Sequence, residues 1–109
     1  MPKNVEFLPG TLDMLILKTL TRGPNHGYGM AQHIQRVSQD SLRVGEGSLY
    51  PALQRLLVNE WVVAEWGTSE TGRKVRMYRV TAAGRKQLTR EVESFDGLLA
   101  GIARVMDAV

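Results

Sequence analysis

The last quarter of the chain constrains the fold most. Leu88, Val92, Phe95, Leu99, Ile102, Met106 and Val109 recur at spacings of 4, 3, 4, 3, 4 and 3 residues. That is a heptad seam, the pattern of helices packing lengthwise at shallow angles. Thr81 is a good capping residue, so the spacing predicts one helix from about Ala82 to near the end. Leu98 and Val105 widen the stripe. Gly97 and Gly101 lower its helicity by about 1 kcal/mol each relative to alanine, and permit close backbone approach. A chain of 109 residues leaves little to cover such a stripe. Either the helix pairs with its copy in a second chain, which is the expectation here, or it folds back on its own domain.

The preceding residues must then form a small head. Thr11 caps a helix reaching about Thr21, with Asp13 near its positive end. Leu12, Met14, Leu15, Ile16, Leu17 and Leu20 make it apolar nearly all round, so it is buried on more than one side. A partner subunit is the expected second cover, with Leu12 at that interface. Arg22 to Gly27 is a turn dense in breakers. A second helix is expected from about Gly29 to Ser38, with Met30, Ile34 and Val37 inward and Gln32, Gln35 and Arg36 outward. Gln39 to Ser41 is a loop, and Leu42-Arg43-Val44 reads as a very short strand. Ser48 is the expected N-cap of a third helix, with Pro51 in its first turn, where a missing N–H costs little. Leu49, Leu53, Leu56 and Leu57 form its apolar face. Ser48, Pro51, Gln54, Arg55 and Val58 face away, with Tyr50 at the edge. That outer face is either solvated or a reading surface. Trp61 to Trp66 and Val75 to Val80 read as strands flanking a polar loop, a β-hairpin whose tryptophans pack at its root.

Charge is unevenly placed. The net charge is only +3, but Arg73, Lys74, Arg76, Arg79, Arg85, Lys86 and Arg90 follow one another from Thr71 to Arg90 with no acid between. Glu91, Glu93, Asp96 and Asp107 then face Arg104 alone. The basic hairpin either solubilises the loop or meets a polyanion. The absence of cysteine excludes disulfides, zinc–thiolate sites and a cysteine nucleophile. No secretory leader pattern opens the chain, and its longest apolar run, Met14 to Leu17, is too short to span a bilayer, so a cytoplasmic setting without membrane contact is expected. Gly45-Glu46-Gly47 lacks the third glycine of a dinucleotide loop. His26 and His33, seven apart, lack metal-ligand spacing, and no paired carboxylates or nucleophile constellation stand out. No enzyme activity, metal or cofactor is expected.

Helix, helix, short strand, helix, hairpin, helix is the order of a winged helix-turn-helix: mainly α with a β-hairpin wing. Residues 1–81 would form this head and residues 82–109 a C-terminal dimerisation helix. Four blocks carry a closer likeness: Gly10 to Leu17, His26 to Gly29, Glu46 to Leu53 and Tyr78 to Gly84. In sequence and order they resemble the PadR family of bacterial transcriptional regulators, from about Gly10 to Leu88. The resemblance implies a homodimer that binds double-stranded DNA at palindromic operators as a repressor, with a small-molecule effector at the dimer interface. Ser48, Tyr50, Pro51, Gln54 and Arg55 would then meet DNA from the third helix, and Arg73, Lys74 and Arg76 from the wing. Tyr28 would touch a phosphate or pack beneath its turn. Leu12, Leu88, Val92, Phe95, Leu99, Ile102 and Met106 would form the dimer interface. The family commonly has glycine where Glu60 stands, so Asn59 is expected to supply the left-handed residue at that helix end. Some short relatives hold flat aromatic drugs between tryptophans of this last helix; here it carries only Phe95. The alternative is a winged-helix protein-interaction module without DNA binding.

Overall fold

α1 (Thr11–Leu20) lies at the centre and touches three other helices and one strand. The computed structural model describes Phe7 and residues 10–109; the arm expected over the first nine residues otherwise lies outside the described residues. Ile16, Leu17 and Leu20 are inaccessible, which accounts for a helix apolar nearly all round. Its second side is packed against the chain's own last helix. Leu12, expected at a subunit interface, is only 5% exposed and closes its own chain's core. Gly10, with φ +85°, precedes the helix as its cap, so Thr11 is the first helical residue rather than the cap.

α2 (Gly27–Val37) begins two residues earlier than expected because His26 caps it: its Nδ1 accepts from the Gly29 N–H at 3.2 Å. Met30 and Ile34 are buried as expected, but Val37 is exposed, since the last turn runs past the core. Asn25 exchanges two backbone hydrogen bonds with Tyr78, at 3.1 and 2.8 Å. The small third strand of the head is therefore a single bridge at Asn25. Leu42 to Val44, expected as that strand, has no strand pairing.

α3 (Glu46–Val58) leads into β1 (Val62–Thr68), which pairs antiparallel with β2 (Lys74–Val80), from Val62↔Val80 to Thr68↔Lys74. At the hairpin tip the Gly72 N–H donates to the Ser69 carbonyl at 2.9 Å, with Gly72 at φ +82°. This is the three-residue hairpin loop that needs a left-handed last residue. The α3–β1 corner is a Schellman motif. The Trp61 N–H bonds the Leu56 carbonyl and the Glu60 N–H the Leu57 carbonyl, both at 3.0 Å. Its left-handed residue is Glu60 at φ +60°, whereas Asn59 is at φ −84°, contrary to expectation. The corner requires that conformation one residue beyond Asn59, whatever side chain stands there.

Thr81 ties this corner to the last helix, α4 (Ala82–Asp107). Its hydroxyl donates to the Glu60 carbonyl at 2.8 Å and accepts from the Gly84 N–H at 3.0 Å, and its own N–H donates to the Trp61 carbonyl at 3.0 Å. A Cβ at Gly84 would overlap that Trp61 carbonyl. With 26 residues α4 is about 39 Å long. Its first half packs on α1, and Leu88 is half-buried against the core. Leu98, Leu99, Ile102, Val105 and Met106 beyond it are exposed. The protruding helix explains a radius of gyration of 15.2 Å, above the about 13 Å of a compact chain this long.

Two substitutions test the corner at fixed protein concentration. Glu60→Gly relieves a left-handed non-glycine residue and should raise unfolding stability by about 0.5–1 kcal/mol, net of the added freedom of the unfolded chain. Gly84→Ala should lower it by about 1–3 kcal/mol through overpacking. Urea unfolding followed by circular dichroism reads both; equal midpoints would contradict the account.

Candidate nucleic-acid interface

α3 presents two unlike faces. Leu49, Ala52, Leu53 and Leu56 are buried, while Ser48, Pro51, Gln54 and Val58 are exposed. The helix starts two residues before the expected cap. Gly45 is extended at its N-cap and no side chain caps it, so Ser48 is the third helical residue, not the cap. The exposed first turn thus offers backbone N–H groups and the positive dipole end to an anion. Pro51 falls in the second turn rather than the first. It has no N–H, so the Gly47 carbonyl lacks its intrahelical donor; the helix tolerates this because both residues face solvent.

Arg55 is not free. Its guanidinium donates to Asp13 Oδ1 of α1 at 2.8 Å. The Asp13 side chain is 10% exposed and that of Arg55 54%. A buried carboxylate on an apolar helix requires such a donor, so Arg55 fixes α3 against α1. The one polar residue inside the apolar run of α1 was the sequence signal for this pairing.

α2 contributes more than the sequence suggested. Tyr28 does not pack beneath its turn; it is 67% exposed, and its hydroxyl accepts from Gln32 Nε2 at 3.0 Å. A groove of about 780 Å³ brings Tyr28, Gln32 and Arg36 of α2 together with Glu46 and Tyr50 of α3. A second, of about 730 Å³, brings the same three α2 residues together with His33 and the wing tip, including Arg73 and Lys74. Tyr28, Gln32 and Arg36 therefore join the start of α3 to the wing in one surface. Ser48, Pro51 and Arg55 open instead onto a groove shared with Gly10 and Leu12 of the α1 end. Gln32 and Arg36 were visible as polar, outward residues, but spacing alone did not connect them to the wing.

Cations gather on the α2 and wing side of this surface, with Arg36, Arg73 and Lys74, whereas Asp40 and Glu46 line its other end. His33 is held below the ordinary histidine pKa, first by burial and then by the cations Arg22 and Arg36. On the wing, Arg73, Lys74 and Arg76 are exposed. Arg79 is paired with Glu65 at 3.3 Å. Trp66, expected at the wing root, is 65% exposed, because the core ends before it. Lys74 Nζ lies 5.1 Å from its ring centroid. The expected subunit interface divides: Phe95 lines a groove of about 200 Å³ with Met14 and Glu91, while Leu99, Ile102 and Met106 are open. Val92, one turn before Phe95, is exposed. Among the described residues no cluster could hold a metal ion, and no helix is long and apolar enough to cross a membrane.

The sequence profile of the transcriptional regulator PadR-like family matches residues 16–90. A transcriptional regulator of Mycobacterium tuberculosis is 33% identical over 93 residues, covering 85% of this chain and 83% of that protein. An uncharacterised protein of Lysinibacillus sphaericus is 30% identical over 90 residues, 83% of each chain. Among solved structures, a transcriptional regulator from Clostridium thermocellum superposes with a TM-score of 0.80 at 27% identity, covering 87% of this chain and 92% of that one. A PadR family transcriptional regulator from Eggerthella lenta gives 0.76 at 25% identity, covering 92% and 85%.

The Asp13–Arg55 pair is checked by a double-mutant cycle. Arg55→Ala leaves a buried carboxylate without its donor and should destabilise by about 1–3 kcal/mol. In an Asp13→Ala background the same change should cost clearly less. Equal costs in both backgrounds would mean the two groups are not coupled.

Proposed function

Because the chain belongs to the PadR-like family of transcriptional regulators, we propose that it represses transcription by binding a palindromic operator in double-stranded DNA as a homodimer. The observation that carries this reading is the continuous polar surface running from the start of α3 across α2 to the wing tip, with Arg36, Arg73 and Lys74 on its α2 and wing side. Residues 1–81 are the DNA-binding head and residues 82–109 the dimerisation helix, whose first turns also pack on α1. α3 enters the major groove, where Ser48, Tyr50, Pro51 and Gln54 meet base edges or phosphates. Tyr28 takes a phosphate. Arg73, Lys74 and Arg76 on the wing neutralise the flanking backbone, giving affinity with little sequence information. Arg55 is a positioning residue, because Asp13 already occupies it.

Leu99, Ile102 and Met106 support the dimer: they continue the heptad seam past the point where α1 covers it. Pairing there sets the two reading helices about 34 Å apart, one turn of the duplex. An effector at the interface would act by changing the angle between protomers, and Thr81 joins that helix directly to the wing. The protein works in the cytoplasm, where its DNA is.

Gel-shift on the duplex upstream of the gene should give a discrete complex whose affinity falls steeply with salt. Arg73→Ala and Lys74→Ala should each lower the slope of log affinity against log salt by about 0.9. Ile102→Asp should convert dimer to monomer by sedimentation and weaken the specific complex at least about a hundredfold by loss of the second half-site. A flat salt response would point to the protein-interaction module instead.

A further inference from the structure

Trp66 is left outside the core of the head, as are Tyr28 and Tyr50, but it alone of the three stands on the wing. Alternate residues of a strand share a face. The pairs Val62↔Val80, Ala64↔Tyr78, Trp66↔Arg76 and Thr68↔Lys74 place Trp66 on the same face as the residues that root the hairpin in the core. Val62, Tyr78 and Val80 on that face are buried. Trp66 stands about 7 Å farther out than Ala64 and has left the core.

Strand alternation also sorts the charges. The face bearing Trp66 carries Lys74 and Arg76 and no carboxylate along either strand. The opposite face carries Glu65, which is paired with Arg79. The uncompensated cations of the wing are thus grouped around an exposed indole. Lys74 lies over its ring, an interaction weak at an exposed site and readily given up to a phosphate.

We propose that Trp66 is itself a DNA contact: its indole lies against the sugars that wall a groove of the duplex, while Lys74 and Arg76 hold the phosphates on either side. The inference rests on the DNA-binding reading above and adds to it an apolar contact that salt does not weaken. The charge around the ring selects a polyanion. The flat apolar surface distinguishes a groove wall from a chain of phosphates alone. Because the sugars are common to all sequences, the contact strengthens binding to any duplex rather than choosing among them.

The test uses the full chain with a duplex of random sequence and with the upstream duplex. Trp61→Phe leaves Trp66 as the one tryptophan, whose emission, excited selectively over tyrosine, should change on titration with either duplex. Trp66→Ala should weaken binding to both by about tenfold, equivalent to about 1.4 kcal/mol, with the salt slope unchanged. Trp66→Phe, which keeps an aromatic face, should restore most of that loss. Arg76→Ala should do the opposite and lower the slope. Three results would overturn the proposal while leaving DNA binding intact. These are unchanged affinity of Trp66→Ala, an equal emission change with polyglutamate, or dissociation of the dimer by Trp66→Ala. If the unsubstituted chain bound neither duplex, the DNA-binding reading would fall as well.

Discussion

Thr81 holds three parts of the molecule at one point. Its hydroxyl and N–H take the two carbonyls of the α3–β1 corner, Glu60 and Trp61, and the same hydroxyl caps α4. The end of the third helix, the root of the wing and the start of the long helix are therefore set relative to one another by a single side chain and its backbone. The arrangement leaves no space at Gly84, where the Trp61 carbonyl lies. It also holds Glu60 in a left-handed conformation costing about 1–2 kcal/mol. Local strain of this kind persists only where the surrounding hydrogen bonds over-determine the backbone.

α1 completes the frame from the other side. It lies between α4 and α3, and its faces are specialised. Met14 meets the groove beside Phe95, Ile16 and Leu17 fill the core, and Asp13 grips Arg55. α4 and α3 are thereby linked through α1 by packed side chains and one charged hydrogen bond rather than through a loop. The wing is held separately, by the Asn25 bridge to Tyr78 and by the Thr81 junction.

Much of this was legible in the chain. Leucine spacing identified α1, α3 and α4, and alternation with β-branched residues identified the hairpin, because burial imposes a fixed period on each element. The outer face of α3 was also correctly outlined. Ends and polar partners were less legible. Ser48 has the chemistry of a cap, yet Gly45 takes that place, since an extended glycine followed by Glu46 lets the helix begin earlier. His26 looked like a turn residue and is a cap. Val37 and Trp66 are apolar and continue buried periods, but the core stops short of both. Arg55 was grouped with the outward residues, which its exposure justifies; its bond to Asp13 spans two helices.

By itself the sequence determined the four helices, the hairpin and their order, the winged-helix class and the family, though not the third strand, which it placed at Leu42 to Val44 instead of Asn25. Each follows from local periodicity, breakers and recognisable blocks that act over a few residues. Only the tertiary structure decided that α4 covers α1 within the same chain, that Leu12 belongs to its own core, and that Arg55 is committed to Asp13. It alone joined Tyr28, Gln32 and Arg36 with the wing cations, and left Trp66 among Lys74 and Arg76. Periodicity tells which face of an element is buried. Where a core ends, and which polar groups meet across it, depends on how far each element reaches past its neighbours in three dimensions.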